Sequence, residues 1–162
     1  ISQYDYLFAL DKMTVFVFFQ PIILGLAGNF GTQSLAITIR KITDHEFDYR
    51  HRILKHLIKE TALGLAMGLL LGGLALIFAV AFLYFNGQAW VDIWPIALVV
   101  ALSVFASLTV SALFAALLPI LLYKMKMDPA VASGPVITTI IDVLGVVIYL
   151  SLATVLVYNT LI

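Results

Sequence analysis

Hydrophobic positions along this 162-residue chain fall into four long runs. Residues 13–39, 61–91 and 93–123 hold no charged side chain, and residues 129–162 hold one, Asp142. About 20 apolar residues suffice for a helix to cross a hydrocarbon layer about 30 Å thick. None of the runs alternates apolar and polar residues with the two-residue period of a membrane β-strand. Helices satisfy their own backbone groups inside lipid, so the pattern predicts four transmembrane helices. Within the second run, "GLAMGLLLGG" sets Gly64, Gly68 and Gly72 four residues apart, and the third run sets Ser103, Ser107, Ser111 and Ala115 on the same period. Lipid gives helices no hydrophobic reason to associate, and small residues at this spacing let two backbones approach closely. Both small-residue faces are therefore expected to serve helix packing in a compact bundle, with a polar path lined by the serines as the alternative.

Composition places this bundle in a membrane. Hydrophobic residues make up 63% of the chain, charged residues only 11%, and mean hydropathy is +1.10; soluble domains are about a quarter charged. A formal net charge of zero excludes the basic footprint of a nucleic-acid binder. There is no cysteine, which excludes disulfides and thiolate metal sites. The chain opens Ile1-Ser2-Gln3-Tyr4-Asp5 with no basic leader. It is expected to be a piece of a longer protein whose N-terminal portion is missing.

Charge between the runs predicts orientation. Arg40, Lys41, Arg50, Arg52, Lys55 and Lys59 fall between the first two runs, and Lys124 and Lys126 follow the third. The connection between the second and third holds only Asp92. An excess of Lys and Arg marks cytoplasmic loops, so loops 40–60 and 124–127 are expected in the cytoplasm of a multi-pass cell-membrane protein, with both ends of the chain outside. Trp90, Trp94, Tyr84 and Tyr158 are placed near the outer interface, where amphipathic rings collect. Residues 49–60 can continue helically into the second run, with their Lys, Arg and His side chains facing solvent and lipid headgroups. His45, His51 and His56 do not share one helical face, which argues against a metal site there.

Two polar groupings interrupt the apolar runs. In "QPIILGLAGNFGTQSLAITIR", Asn29 and Gln33 share a face, Gly25 precedes them by a turn, and Gly28 and Gly31 flank Asn29. Pro21 removes the partner of the Val17 carbonyl. In "DPAVASGPVITTIID", Asp128-Pro129 reads as a helix start. Pro135, after Gly134, is expected to kink or break the helix and free the Val131 carbonyl. Thr138 and Asp142 are four apart, with Gly145 and Tyr149 extending their face. Thirteen residues from Pro129 to Asp142 rise about 20 Å, which puts the carboxylate near the bilayer centre. A charge there costs at least about 2.5 kcal/mol, and such residues face bundle interiors or water. None of the runs contains Lys, Arg or His. Asp142 is then either protonated and hydrogen-bonded, to Thr138 or Asn29, or neutralised by a transient cation. The neighbouring donors are oxygens, which suit Mg²⁺, Ca²⁺, Mn²⁺, Na⁺ or a proton rather than softer metals. One or two carboxylates with many hydrogen-bonding groups fit Mg²⁺ that keeps its waters better than dehydrated Ca²⁺.

These two segments resemble the MgtE family of magnesium channels. "DPAVASGPVITTIID" is similar to that family's last-helix signature, and Pro21 to Arg40 to its second-helix motif, with Ala27 in place of the first glycine of a glycine pair. The resemblance implies an all-α integral membrane bundle of five helices, of which four would lie here, forming a homodimeric pore for Mg²⁺ as bound substrate. It implies Asp142 at a central metal site, Asn29 beside it and Asp128 near the cytoplasmic mouth. Gln33, Val131, Gly134, Thr138 and Gly145 are then candidates to line the pore and contact the hydrated ion. A first helix and cytosolic regulatory domains would be missing from residues 1–162. Apart from the second subunit and the lipid bilayer, no partner is expected, nucleic acid included. Other readings stay open: a Na⁺- or H⁺-coupled divalent-cation carrier hinged at Gly134-Pro135, or a structural membrane subunit. An intramembrane aspartyl enzyme would need a second carboxylate, so a non-enzyme is expected.

Overall fold

A computed structural model describes the backbone of residues 3–47, 49–128 and 134–161, and side-chain surroundings for residues 14–47, 49–128 and 135–156. The described residues form four helices: α1 (Gln3–Thr43), α2 (Arg50–Phe85), α3 (Trp90–Lys124) and α4 (Gly134–Leu161). Each contains a stretch long and apolar enough to cross a membrane: Thr14–Thr43, Arg50–Phe85, Trp90–Lys124 and Pro135–Leu156. The four-helix expectation holds, and α2 does begin with the basic segment, ahead of its charge-free run.

The turns follow from local backbone chemistry. At the end of α1, Glu46 N–H donates to the Lys41 carbonyl and His45 N–H to that of Ile42. Met127 and Lys126 repeat the pattern on Leu122 and Tyr123 after α3, as do Gln88 and Gly87 on Leu83 and Tyr84 after α2. Such a cap requires a left-handed residue. Gly87 (φ 74°) adopts this freely, whereas His45 (φ 56°) and Lys126 (φ 59°) adopt it against a steric cost of about 1–2 kcal/mol.

Helix α3 is the hub, packing on all three other helices, while α1 also packs on α4 and α2 lies mainly on α3. The main core joins Phe16, Phe19 and Ile23 of α1 to Ala79 and Leu83 of α2, Val100 and Leu108 of α3, and Tyr149 of α4. Tyr149 closes one end by donating its hydroxyl to the Phe16 carbonyl at 2.7 Å, its ring edge-on to Phe16. At the other end Ile42, Phe47, Ile53 and Ile120 cluster. The α1–α2 and α3–α4 connections therefore share that end, and their basic residues gather there. Tyr84, Trp90 and Trp94 form a chain of edge-on rings at the α2–α3 connection. The side chain of Tyr158 lies outside the described set.

The glycine stripe of α2 packs closely on α3, as its spacing implies. A Cβ on Gly64 would meet Ala112 and the backbone of Leu108, one on Gly68 the backbone of Phe105, and one on Gly72 the Ala101 carbonyl. Ser103, Ser107 and Ser111 are buried on a different side of α3. Ser111 donates to the Ala27 carbonyl of α1 at 2.7 Å, and Ser107 lies toward Gly145 of α4. A helix that touches three others needs more than one small-residue face, and sequence spacing does not say which neighbour each face meets.

Candidate functional site

Gly28 lies near the middle of the Thr14–Thr43 span, about 21 Å of helical rise from either end. Asp142 of α4 faces it. A Cβ added at Gly28 would sit 3.4 Å from the Asp142 Oδ1, so the missing side chain gives the carboxylate its room. The two helices are locked on either side of this point. Ile141 and Ser111 fill the space at Gly31, where a Cβ would overlap the Ile141 Cδ1 and come within 2.5 Å of the Ser111 Oγ. A turn further along, Gly145 takes Leu24, which would lie 3.3 Å from an added Cβ.

The carboxylate is half-buried, and among the described residues no side chain hydrogen-bonds it or pairs with it. On α1, Asn29 and Gln33 are exposed. Thr32 donates to the Asn29 carbonyl at 2.8 Å. Thr138 is half-buried, and Thr139 is exposed; their hydroxyls donate to the Pro135 carbonyl at 3.1 and 2.8 Å. Exposed amides of α1 and a half-buried hydroxyl and carboxylate of α4 thus lie at the depth of the hydrocarbon core, with Gly28 and Asp142 in contact across the two helices.

The buried stripe of α4 is Ile137, Ile141, Gly145 and Tyr149. Gly145 and Tyr149 continue the face of Thr138 and Asp142, as expected, and all of Asp142, Gly145 and Tyr149 meet α1, at Gly28, Leu24 and Phe16; burial deepens from the half-buried Thr138 and Asp142 to the buried Gly145 and Tyr149. Pro135 does not interrupt a helix among the described residues. It is the second residue of α4 as described from Gly134; the expected interruption before it falls on residues 129–133, outside the described residues. Asp128 is exposed just beyond the turn that ends α3. Val131 and the rest of residues 129–133 lie outside the described residues, as do the surroundings of Gly134.

The basic segment departs most from expectation. His56 and Glu60 are buried, at 3% and 6% exposure, rather than solvated. Ser34 of α1 donates to the Glu60 Oε2 at 2.6 Å. Thr38 gives its proton to the Ser34 carbonyl, so its 2.9 Å contact with the His56 Nε2 requires that nitrogen to be the donor. The His56 Nδ1 is then left 3.8 Å from the Glu60 Oε1, and the Phe47 ring covers the imidazole. Glu60 is thus a second acid inside the bundle, about 9 Å along α1 from Gly28 as judged by its partner Ser34. Two i, i+4 polar pairs, Ser34/Thr38 and His56/Glu60, were the available signal. Among the described residues no group of three His, Asp, Glu or Cys forms a metal cluster.

Residues 20–152 match the MgtE family model, described as a divalent cation transporter. The chain belongs to the MgtE family. It is 33% identical over 151 residues to a Bacillus subtilis protein named magnesium transporter MgtE, covering 93% of this chain and 32% of that one. A Thermus thermophilus protein of the same name is 35% identical over 150 residues, covering 91% of this chain and 30% of the relative. The Enterococcus faecalis protein of that name is 33% identical over 156 residues, covering 95% and 32%. The chain thus spans about a third of the length of these MgtE relatives. The match includes both Gly28-Asn29 and Asp142, and these relatives are named as transporters rather than enzymes.

Proposed function

We propose that this chain is the membrane-spanning part of a Mg²⁺ transporter in which hydrated Mg²⁺ passes along the α1–α4 seam. The observation that carries this reading is the Asp142 carboxylate, unpaired among the described residues and set against Gly28 at mid-membrane depth. Left alone, such a charge is costly in lipid. A divalent cation neutralises two of them. Two copies related by a two-fold axis along the seam would bring two Asp142 side chains to one ion, and would bury the exposed Asn29 and Gln33 amides around a polar path. The family membership supports Mg²⁺ as the transported ion, and the oxygen-only donors support a hard cation.

The residues suggest how the ion is held. Mg²⁺ dehydrates reluctantly and takes octahedral ligands at about 2.0–2.1 Å. Asp142 would attract the ion, while Asn29, Gln33 and Thr138 would hydrogen-bond its water shell. Asp128, outside the hydrocarbon run, would raise the cation concentration at one mouth. With the basic connections in the cytoplasm, transport down the electrochemical gradient runs inward. A crystal grown with Mg²⁺ tests the site: metal-to-Asp142 distances of about 4 Å, with ordered waters between, are expected. Six protein oxygens within about 2.6 Å of the metal would instead reveal a Ca²⁺-type cage and overturn the hydrated-ion reading.

A further inference from the structure

The basic end of the bundle contains a cavity that the α1–α4 seam does not use. It has a volume of about 190 Å³ and is lined by Lys41, Glu46, Arg52, Lys55, His56 and Lys59, with Phe47 between them. Four cations face one carboxylate there, a net charge of +3 with His56 neutral. Lys41 and Glu46 pair at 3.7 Å. Among the described residues, Arg52, Lys55 and Lys59 have no carboxylate within ion-pair reach, and the Arg52 guanidinium rests over the Tyr49 ring at 5.3 Å.

A second observation points the same way. The cavity sits at the start of α2, whose N-cap residue Tyr49 makes no side-chain cap and whose first turn holds no acid. A helix N-terminus carries partial positive charge and favours anions, so cations there are unfavourable by about 0.3–1 kcal/mol each. Arg50 and Arg52 occupy that turn. Among the described residues, both the lining, with its net positive charge, and the first turn of α2 favour an anion, and a phosphate group supplies negative charge with several acceptor oxygens.

We infer that this cavity binds the phosphate group of an anionic ligand, its source being a lipid headgroup. Lys55 and Lys59 stand on the flank of α2 between its packed face, with Ile53, His56 and Glu60, and its outward face, where Leu54 and Ile58 are 59% and 60% exposed. A lipid lying on Leu54 and Ile58 can turn its headgroup into the flank without leaving the bilayer. At about 30 Å³ per water, the cavity has room for a phosphate and its first carbons. His56 forms part of the wall and reaches Thr38 of α1, so occupancy bears on the helix that carries Asn29.

Thermal unfolding of the purified protein in lipid nanodiscs tests the inference. Discs of phosphatidylcholine alone are compared with discs doped with phosphatidylglycerol, with oleate (charge without phosphate), or supplied with inorganic phosphate. The variants are Arg52→Gln/Lys55→Gln/Lys59→Gln and, as a charge control at the same end, Lys124→Gln/Lys126→Gln. All five side chains belong to exposed residues, so folding should persist. Phosphatidylglycerol is expected to raise the midpoint by several degrees more than oleate. The triple variant should lose that rise and the Lys124/Lys126 pair should keep it. If inorganic phosphate produces the same rise, abolished in the triple variant, the phosphate site stands with a soluble source. An equal rise with oleate, or a rise that survives in the triple variant, would overturn the site in favour of diffuse surface attraction.

Discussion

A single methyl group separates the packing glycines from the idle ones. At Gly31 a Cβ would run into the Ile141 side chain and the Ser111 hydroxyl, and moving that hydroxyl sacrifices its bond to the Ala27 carbonyl. Gly31→Ala should therefore lower stability by about 1–3 kcal/mol, the usual cost of overpacking. Gly73 has nothing within 4 Å of such a Cβ, and Gly73→Ala should be neutral or gain up to about 1 kcal/mol from helix propensity. Thermal unfolding of the two variants side by side checks this; equal midpoints would show that the α1–α4 contact at Gly31 is looser than described. At this scale the sequence was legible where a residue conflicted with its surroundings. Asp142 stood out because a carboxylate in an apolar run is costly unless it is protonated or neutralised. Gly28 did not announce itself as its neighbour, since a glycine's partner is a property of the fold. His56 and Glu60 were hidden for the opposite reason: flanked by Lys55 and Lys59, they look like any solvated charged segment.

At the level of helices, three charge-free runs and one with a single acid identified all four elements, because length and apolarity are read directly from sequence. What the runs could not give was rotation about each helix axis. The serines of α3 face α1 and α4 rather than the glycines of α2. The pairing of α1 with α2 at their basic end depends on one polar cluster. Glu60→Ala would leave the Ser34 hydroxyl without its acceptor and take the neighbouring acid from His56, at a cost of about 1–3 kcal/mol for an unsatisfied buried group. Glu60→Gln keeps an acceptor for Ser34 and should recover part of that loss. Urea or thermal unfolding in detergent measures the difference. If Glu60→Ala were as stable as the wild type, the cluster would contribute no net stability despite its short 2.6 Å bond.

For the whole molecule, the unexplained surface is the polar seam. A monomer would expose Asn29 and Gln33 to lipid, whereas a two-fold dimer would cover them. The absence of cysteine makes this simple to examine. Gln33→Cys protein in membranes should give a dimer band with a short bismaleimide cross-linker, and Val147→Cys, on an exposed apolar face, should not. The reverse pattern would move the interface elsewhere. The most direct measurement of the central claim is Mg²⁺ flux into proteoliposomes loaded with a Mg²⁺-sensitive dye, comparing wild type with Asp142→Asn at matched incorporation. A charge at about 4 Å from another is worth about 4 kcal/mol in a partly shielded site, and each 1.4 kcal/mol is tenfold. Asp142→Asn should thus cut flux by about tenfold or more, while Asp128→Asn, screened at the mouth, should reduce it only partly. Wild-type flux through a folded Asp142→Asn protein would contradict the assignment of Asp142 as the ion site.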